Sequence, residues 1–164
     1  IGAEYMLIGG LAVGVWSEPR ATKDCDLSVR VLVSPGELRD ALAKAGLDVL
    51  RGDLAEAQAK GGAIRLRSRA QVGEQVVVDL LFATTPFEIA ALGRRESLRV
   101  LGVEVPVTVP EDLFVFKLIA GRPQDLADAQ RLFALHGSTF DMARVRHWCR
   151  EFGVEDRVES YVRA

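Results

Sequence analysis

The chain has 164 residues, of which 49% are hydrophobic and 27% charged, with a formal net charge of −2. That is enough apolar material for one globular domain, or for one domain with a helical extension. Near-neutrality excludes a blanket attraction to nucleic acid or anionic lipid, so any nucleic-acid contact must come from a local basic patch. Two distant cysteines, Cys25 and Cys149, exclude a disulfide framework or a cysteine zinc site and fit a reducing cytoplasm. No apolar stretch reaches the ~20 residues of a membrane helix, so no membrane partner is expected.

In chain order, residues 5–8 read as a strand, Gly9-Gly10 as a turn and residues 11–16 as a short helix that Pro19 cannot continue. The next strand begins at Asp24 and alternates cleanly. Leu27, Val29, Val31 and Val33 share one face; Asp24, Asp26, Ser28 and Arg30 share the other. Ser34-Pro35 opens a helix, with Ser34 as N-cap and Glu37 in the first turn, and Gly46 stops it. Strands are expected at residues 48–50, 63–67 and 75–82, the last apolar enough to be central. A helix starts at Pro86, and a hairpin over 97–101 and 105–109 turns at Gly102. After Val109 the pattern is helical only: 110–121, 123–135, 141–151 and 155–163. We therefore expect an α/β (α+β) unit over residues 1–109 and a helical region over 110–164 packed on it.

Three carboxylates carry the functional expectation. Asp24 and Asp26, one residue apart on a strand, point to the same face with Cα atoms roughly 6.5–7 Å apart. Asp79 lies within the apolar run Val76-Val77-Val78-Asp79-Leu80-Leu81. A carboxylate in such surroundings is rarely left without a cation, which is either an arginine of the chain or a metal ion. Three carboxylates held together repel each other unless cations neutralise them, and oxygen-only donors suit Mg²⁺ or Mn²⁺. Gly9-Gly10, between a strand and a helix, allows close backbone approach and anion binding at the helix start. Arg20, Lys23, Lys117 and Arg122 are available cations.

These features resemble the nucleotidyltransferase superfamily with the DNA polymerase β-like palm, most closely the branch of AbiEii-type abortive-infection toxins and related nucleotidyltransferases. The resemblance rests on Leu7-Ile8-Gly9-Gly10-Leu11-Ala12, Pro19 to Leu27, Val78-Asp79-Leu80-Leu81, and Val109 to Leu113 followed by Lys117 to Arg122 and Asp125 to Asp128. It implies a mixed β-sheet flanked by helices, a phosphate turn at Gly9 and Gly10, and catalytic metal carboxylates at Asp24, Asp26 and Asp79 holding two Mg²⁺ or Mn²⁺ ions. It also implies that Lys117 reaches the nucleotide phosphates. Many members place serine at the second turn position, where this chain has Gly10, so backbone N–H groups alone would serve here. A helix is expected before the first strand in the complete protein.

Three functions follow as expectations. The first is transfer of NMP from an NTP to a hydroxyl on tRNA or other RNA, as a toxin with an antitoxin partner; Arg65, Arg67, Arg69, Arg94 and Arg95 would then form a basic surface near the acids. The second is transfer to a small molecule, with a narrow acidic or apolar pocket. The third is a nucleotide-binding or antitoxin-interaction module with little turnover, in which the acids do not converge or an internal arginine holds Asp79. Other readings are structural: Lys117 paired with Asp125 or Asp128, Arg122 in a salt-bridge set, Arg65 to Arg69 as a solvated strand face, and His136, His147, Trp16 and Trp148 as packing residues.

Overall fold

The computed structural model describes residues 1–19, 21–22, 24–69, 76–100 and 102–162. The expected phosphate-side cations Arg20 and Lys23 lie outside the described residues, as do Gln75, Leu101 and Arg163 at the margins of expected elements. Among the described residues seven strands, β1 (Glu4–Ile8), β2 (Asp24–Arg30), β3 (Leu47–Arg51), β4 (Gly62–Ser68), β5 (Val77–Phe82), β6 (Glu96–Val100) and β7 (Val103–Val107), form one sheet. Its order is β3-β4-β5-β2-β1-β7-β6. The sheet is mixed: β2 pairs with β5 and β1 with β7 in parallel, while the other pairs are antiparallel. Among the described residues eight α-helices flank it: α1 (Gly9–Trp16), α2 (Pro35–Lys44), α3 (Leu54–Lys60), α4 (Pro86–Arg94), α5 (Pro110–Ala120), α6 (Pro123–His136), α7 (Met142–Glu151) and α8 (Glu155–Val162).

Local chemistry accounts for the helix starts. Ser34 accepts from the Glu37 N–H at 3.3 Å while the Glu37 carboxylate accepts from the Ser34 N–H at 2.9 Å, a reciprocal cap reinforced by Pro35. Thr85, Pro86 and Glu88 repeat the device at α4. Gly121 ends α5 in the left-handed conformation, φ 64°. One helix goes beyond the sequence expectation. α3 is capped by Asp53, which accepts from the Glu56 N–H at 2.9 Å, but it buries only Leu54 and Ala57. So short an apolar face leaves little periodicity to read. The hairpin also ends earlier than expected. β7 stops at Val107, and the Thr108 N–H donates to the Leu7 carbonyl at 3.1 Å.

Cross-strand register sorts the side chains onto two faces. Leu7, Leu27, Leu80 and Ile64 lie opposite one another on one face. There, Val29, Ile64, Leu66, Leu80 and Phe82 pack with Leu38 of α2 and Leu54 and Ala57 of α3. Leu7 and Val107 pack with Ala12 and Val13 of α1 and with Leu113 and Leu132. On the other face Met6 and Ile8 join Phe87 and Leu92 of α4, Phe114 and Leu118 of α5, Val145 and Cys149 of α7 and Val158 of α8. Each fully buried Leu or Phe contributes about 1.5–3 kcal/mol. This second face also carries the acids, at the end of the sheet that the helices leave open. Cys25 and Cys149 are both free. Among the described residues no helix is long and apolar enough to cross a membrane.

Candidate functional site

Register brings the expected residues together. Ile8 of β1 lies opposite Asp26 of β2, Asp26 opposite Asp79 of β5, and Asp79 opposite Arg65 of β4. One row across four strands therefore reads Ile8, Asp26, Asp79, Arg65. Asp24, two residues before Asp26, shares their face. Where β1 ends, the chain turns at Gly9 (φ +65°) and α1 begins. A Cβ on Gly9 would stand 2.0 Å from Asp26 Oδ2, so only glycine lets the turn approach this carboxylate. The Gly10 N–H donates to Asp26.

A cleft of about 570 Å³ opens over this row. Its floor is Gly9, Gly10, Asp24, Asp26, Asp79 and Arg65; Leu81, Phe116 and Ile119 make an apolar wall; Lys117, Arg122, Gln124 and Asp125 stand opposite the acids on α5, α6 and the junction between them. Thr22, Glu88, Phe116 and Gln124 line the cleft although sequence reasoning did not single them out. Thr22 precedes β2 within the stretch Pro19 to Leu27; nothing in local sequence marks the other three, because packing of α4, α5 and α6 places them there. Glu88 is occupied as the α4 cap, accepting from the Thr84 and Thr85 N–H groups.

The electrostatics are uneven. Arg65 grips Asp79 with two hydrogen bonds, Nε to Oδ1 at 2.8 Å and Nη2 to Oδ2 at 2.6 Å, and reaches Asp24 Oδ2 at 3.2 Å. The hydrogen bond to Asp79, then its charge, hold the Arg65 pKa above its ordinary value. Burial pushes the Asp26 carboxyl above the usual range, and the Asp79 and Asp24 charges push it further; the Lys117 charge and the Gly10 N–H oppose them. Cys25 faces away from the acids into the Leu7 cluster, and burial raises its thiol pKa.

The sequence left Lys117 two roles, phosphate contact and structural pairing, and it meets both acids that the second reading named. Lys117 is buried, with Nζ 3.0 Å from Asp125 Oδ1 and 2.9 Å from Asp128 Oδ2. Arg122 also pairs with Asp125, at 2.5 Å, but its side chain is 77% exposed at the cleft mouth. His136 bonds the Trp16 carbonyl at 2.7 Å, a structural contact, and exposed His147 stacks on Trp148.

The donor set is oxygen-only, three carboxylates facing one open cleft, and it fits a hard divalent cation such as Mg²⁺ or Mn²⁺. It is not preassembled: among the described residues no group of three His, Cys, Asp or Glu side chains surrounds a metal position. Asp79 instead turns both oxygens to Arg65.

No family model matches the chain, and no curated protein does. Solved structures share its fold. An antigenic nucleotidyltransferase-like protein from Paracoccidioides brasiliensis superposes with a TM-score of 0.53 at 19% identity, over 81% of this chain and 68% of that one. JHP933 from Helicobacter pylori gives 0.54 at 13% identity, over 91% of this chain and 66% of that one. ANT(2″)-Ia, solved with adenylyl-2″-tobramycin, gives 0.54 at 16% identity, over 92% of this chain and 87% of that one. At these identities the likeness is one of fold: a nucleotidyltransferase-like mixed sheet flanked by helices.

Proposed function

We propose that this chain is a divalent-metal-dependent nucleotidyltransferase that moves the NMP unit of an NTP to a hydroxyl acceptor and releases pyrophosphate. The observation that carries this reading is the meeting of Asp24, Asp26 and Asp79 beside the Gly9-Gly10 turn in one cleft. Asp24, Asp26 and Asp79 would hold two metal ions, which when bound would neutralise charge on the attacked phosphate and the leaving pyrophosphate. The Gly9-Gly10 turn would lie against the phosphates, with the Gly9 N–H donating to a phosphate oxygen while the Gly10 N–H holds Asp26 beside it, and exposed Arg122 would meet the pyrophosphate end. Arg20 and Lys23 are assigned to that end from the sequence alone. Asp79 would also accept the proton of the attacking hydroxyl. Residues 1–109 would act as the palm, and 110–164 as a helical region supplying its far wall.

The acceptor reads best as a small hydroxylated molecule. An RNA acceptor calls for free basic surface beside the acids. Of the five arginines expected to make it, Arg65 is held by Asp79 and Asp24, Arg69 by Asp48, Arg94 by Asp112, and Arg95 bonds the Leu92 carbonyl; Arg67 is exposed. The apolar wall of Leu81, Phe116 and Ile119 suits a compact acceptor, and the structural neighbour solved with adenylyl-2″-tobramycin supports the same class. A toxin role with an antitoxin partner rests on the sequence resemblance alone. Two free cysteines fit the expected cytoplasmic setting.

The arginine on Asp79 favours one competing reading, a nucleotide-binding module with little turnover. The separating experiment is incubation with labelled NTPs, Mg²⁺ and either a panel of hydroxylated small molecules or total RNA, beside an Asp24→Ala/Asp26→Ala variant. Transfer to a small molecule by the native chain alone supports the proposal. Equal labelling by both proteins removes it, and no labelling by either favours the binding module.

A further inference from the structure

Arg65 stands among three acids, on the side where a positive charge is required. Both Asp79 oxygens and one Asp24 oxygen are committed to it. Neither acid can present those oxygens to a metal ion until the guanidinium moves. Asp26 lies outside this grip and carries the electrostatic strain of its neighbours.

The surroundings of Arg65 allow such a movement. Its side chain is 45% exposed and lines the open cleft, and Asp24 is 39% exposed. The Asp24 arm, exposed at both ends, is weak and readily exchanged; the two-pronged arm to Asp79, whose side chain is 15% exposed, is the firmer one and the one a metal ion has to displace. Two other ion pairs within or near the cleft are more enclosed. Lys117, 6% exposed, is enclosed with Asp125 and Asp128, and Asp112, the partner of Arg94, is 1% exposed. Pairing of Arg65 with Asp79 across β4 and β5 fixes the Arg65 backbone, so a released guanidinium stays at the rim of the same cleft.

Resting on the function proposed above, we infer that Arg65 is a resident counter-ion which the site exchanges for a divalent cation. In the empty cleft it neutralises Asp79 and Asp24. When metal and nucleotide enter, it yields both carboxylates and turns to the nucleotide phosphates. The cluster is thereby kept from repelling itself, and metal binding is coupled to nucleotide binding because the displaced guanidinium gains a new anionic partner only when phosphate is present.

The test is direct Mn²⁺ binding, read by electron paramagnetic resonance of free Mn²⁺, with and without a non-hydrolysable NTP analogue. Without nucleotide, Arg65→Gln should bind Mn²⁺ at least about tenfold more tightly than the native chain, because the competitor is gone. Adding the analogue should tighten Mn²⁺ binding strongly in the native chain and much less in Arg65→Gln. Arg65→Lys, which keeps the charge but loses the two-pronged grip, should fall between them; it also serves should the glutamine variant not fold. Asp79→Asn introduced into Arg65→Gln should abolish the gain. Equal or weaker Mn²⁺ binding by the Arg65 variants overturns the exchange and leaves nucleotidyl transfer standing. No Mn²⁺ binding by any of these proteins, even with the analogue, overturns both.

Discussion

Gly9 leaves no space for a side chain against Asp26: a Cβ at residue 9 would lie 2.0 Å from Asp26 Oδ2 and 2.6 Å from its Cγ. The turn that would bind phosphate and the carboxylate that would bind metal are thus in direct contact. Gly46 has a similar φ of +75° but open space around it. Gly46→Ala should therefore cost only the left-handed backbone penalty of about 1–2 kcal/mol. Gly9→Ala should cost on the order of 1–3 kcal/mol more, through overpacking, and should reduce stabilisation by NTP. Urea melts of the two variants make the comparison; equal losses would mean that Asp26 simply swings aside.

Asp26→Asn should separate stability from activity. Burial and the charges of Asp79 and Asp24 disfavour its ionised form, so a neutral amide relieves repulsion. The melting temperature should hold or rise, while transfer should fall by roughly 10²-fold or more. A variant both less stable and fully active would deny Asp26 its assigned role.

Lys117 and Arg122 should respond in opposite ways. Lys117→Met removes the buried lysine that neutralises Asp125 and Asp128, which are 2% and 0% exposed. A loss of about 3–5 kcal/mol is expected. Arg122→Gln removes a side chain that is 77% exposed and should change stability by less than about 1 kcal/mol, yet weaken NTP binding measured by calorimetry. Lost activity in the lysine variant alone would then report on folding rather than on phosphate contact.

Asp125 sets an acid limit on stability. Burial alone would raise its pKa, but hydrogen bonds from Arg122 and Lys117, with their charges, outweigh burial and hold it below the ordinary value of 3.8. The folded state thus binds this proton less readily than the unfolded chain. The stability it contributes is present above 3.8 and is lost as pH falls through the lower folded value. Unfolding free energies followed from about pH 5 to about pH 2.5 should decline, and the decline should be shallower in Arg122→Gln, where the depression is smaller.

Much of the fold was written locally. Ser34-Pro35 with Glu37 at the start of α2, and Gly121 at the end of α5, each set a helix end through residues a few positions apart, and the alternation from Asp24 to Val33 assigned both aspartates to one face. The order of these elements showed an α/β part followed by a helical one; the mixed sheet flanked by helices was what the family resemblance implied. Arg65 was harder. Its alternation with Ile64 and Leu66 showed that it leaves the apolar face, but the strand opposite, and the residue on it, depend on register between β4 and β5, which no local pattern states. For the same reason Arg65, Arg67 and Arg69 resembled a basic stripe, whereas Arg65 and Arg69 are neutralised by acids from other strands. Lys117 admitted two roles in sequence because burial, which distinguishes them, arises only once α5 and α6 are packed.

The parallel pairing of β2 with β5 also sets a timetable. As the chain emerges from the ribosome, Asp24 and Asp26 appear early, and β3, α3 and β4 must be made before β5 can slot beside β2 and deliver Asp79. Arg65 precedes Asp79 in that order, so the guanidinium is already at hand when the last acid arrives. A fragment truncated before β5 would lack both Asp79 and the strand beside β2, and would retain an unpaired edge on β2, open to aggregation.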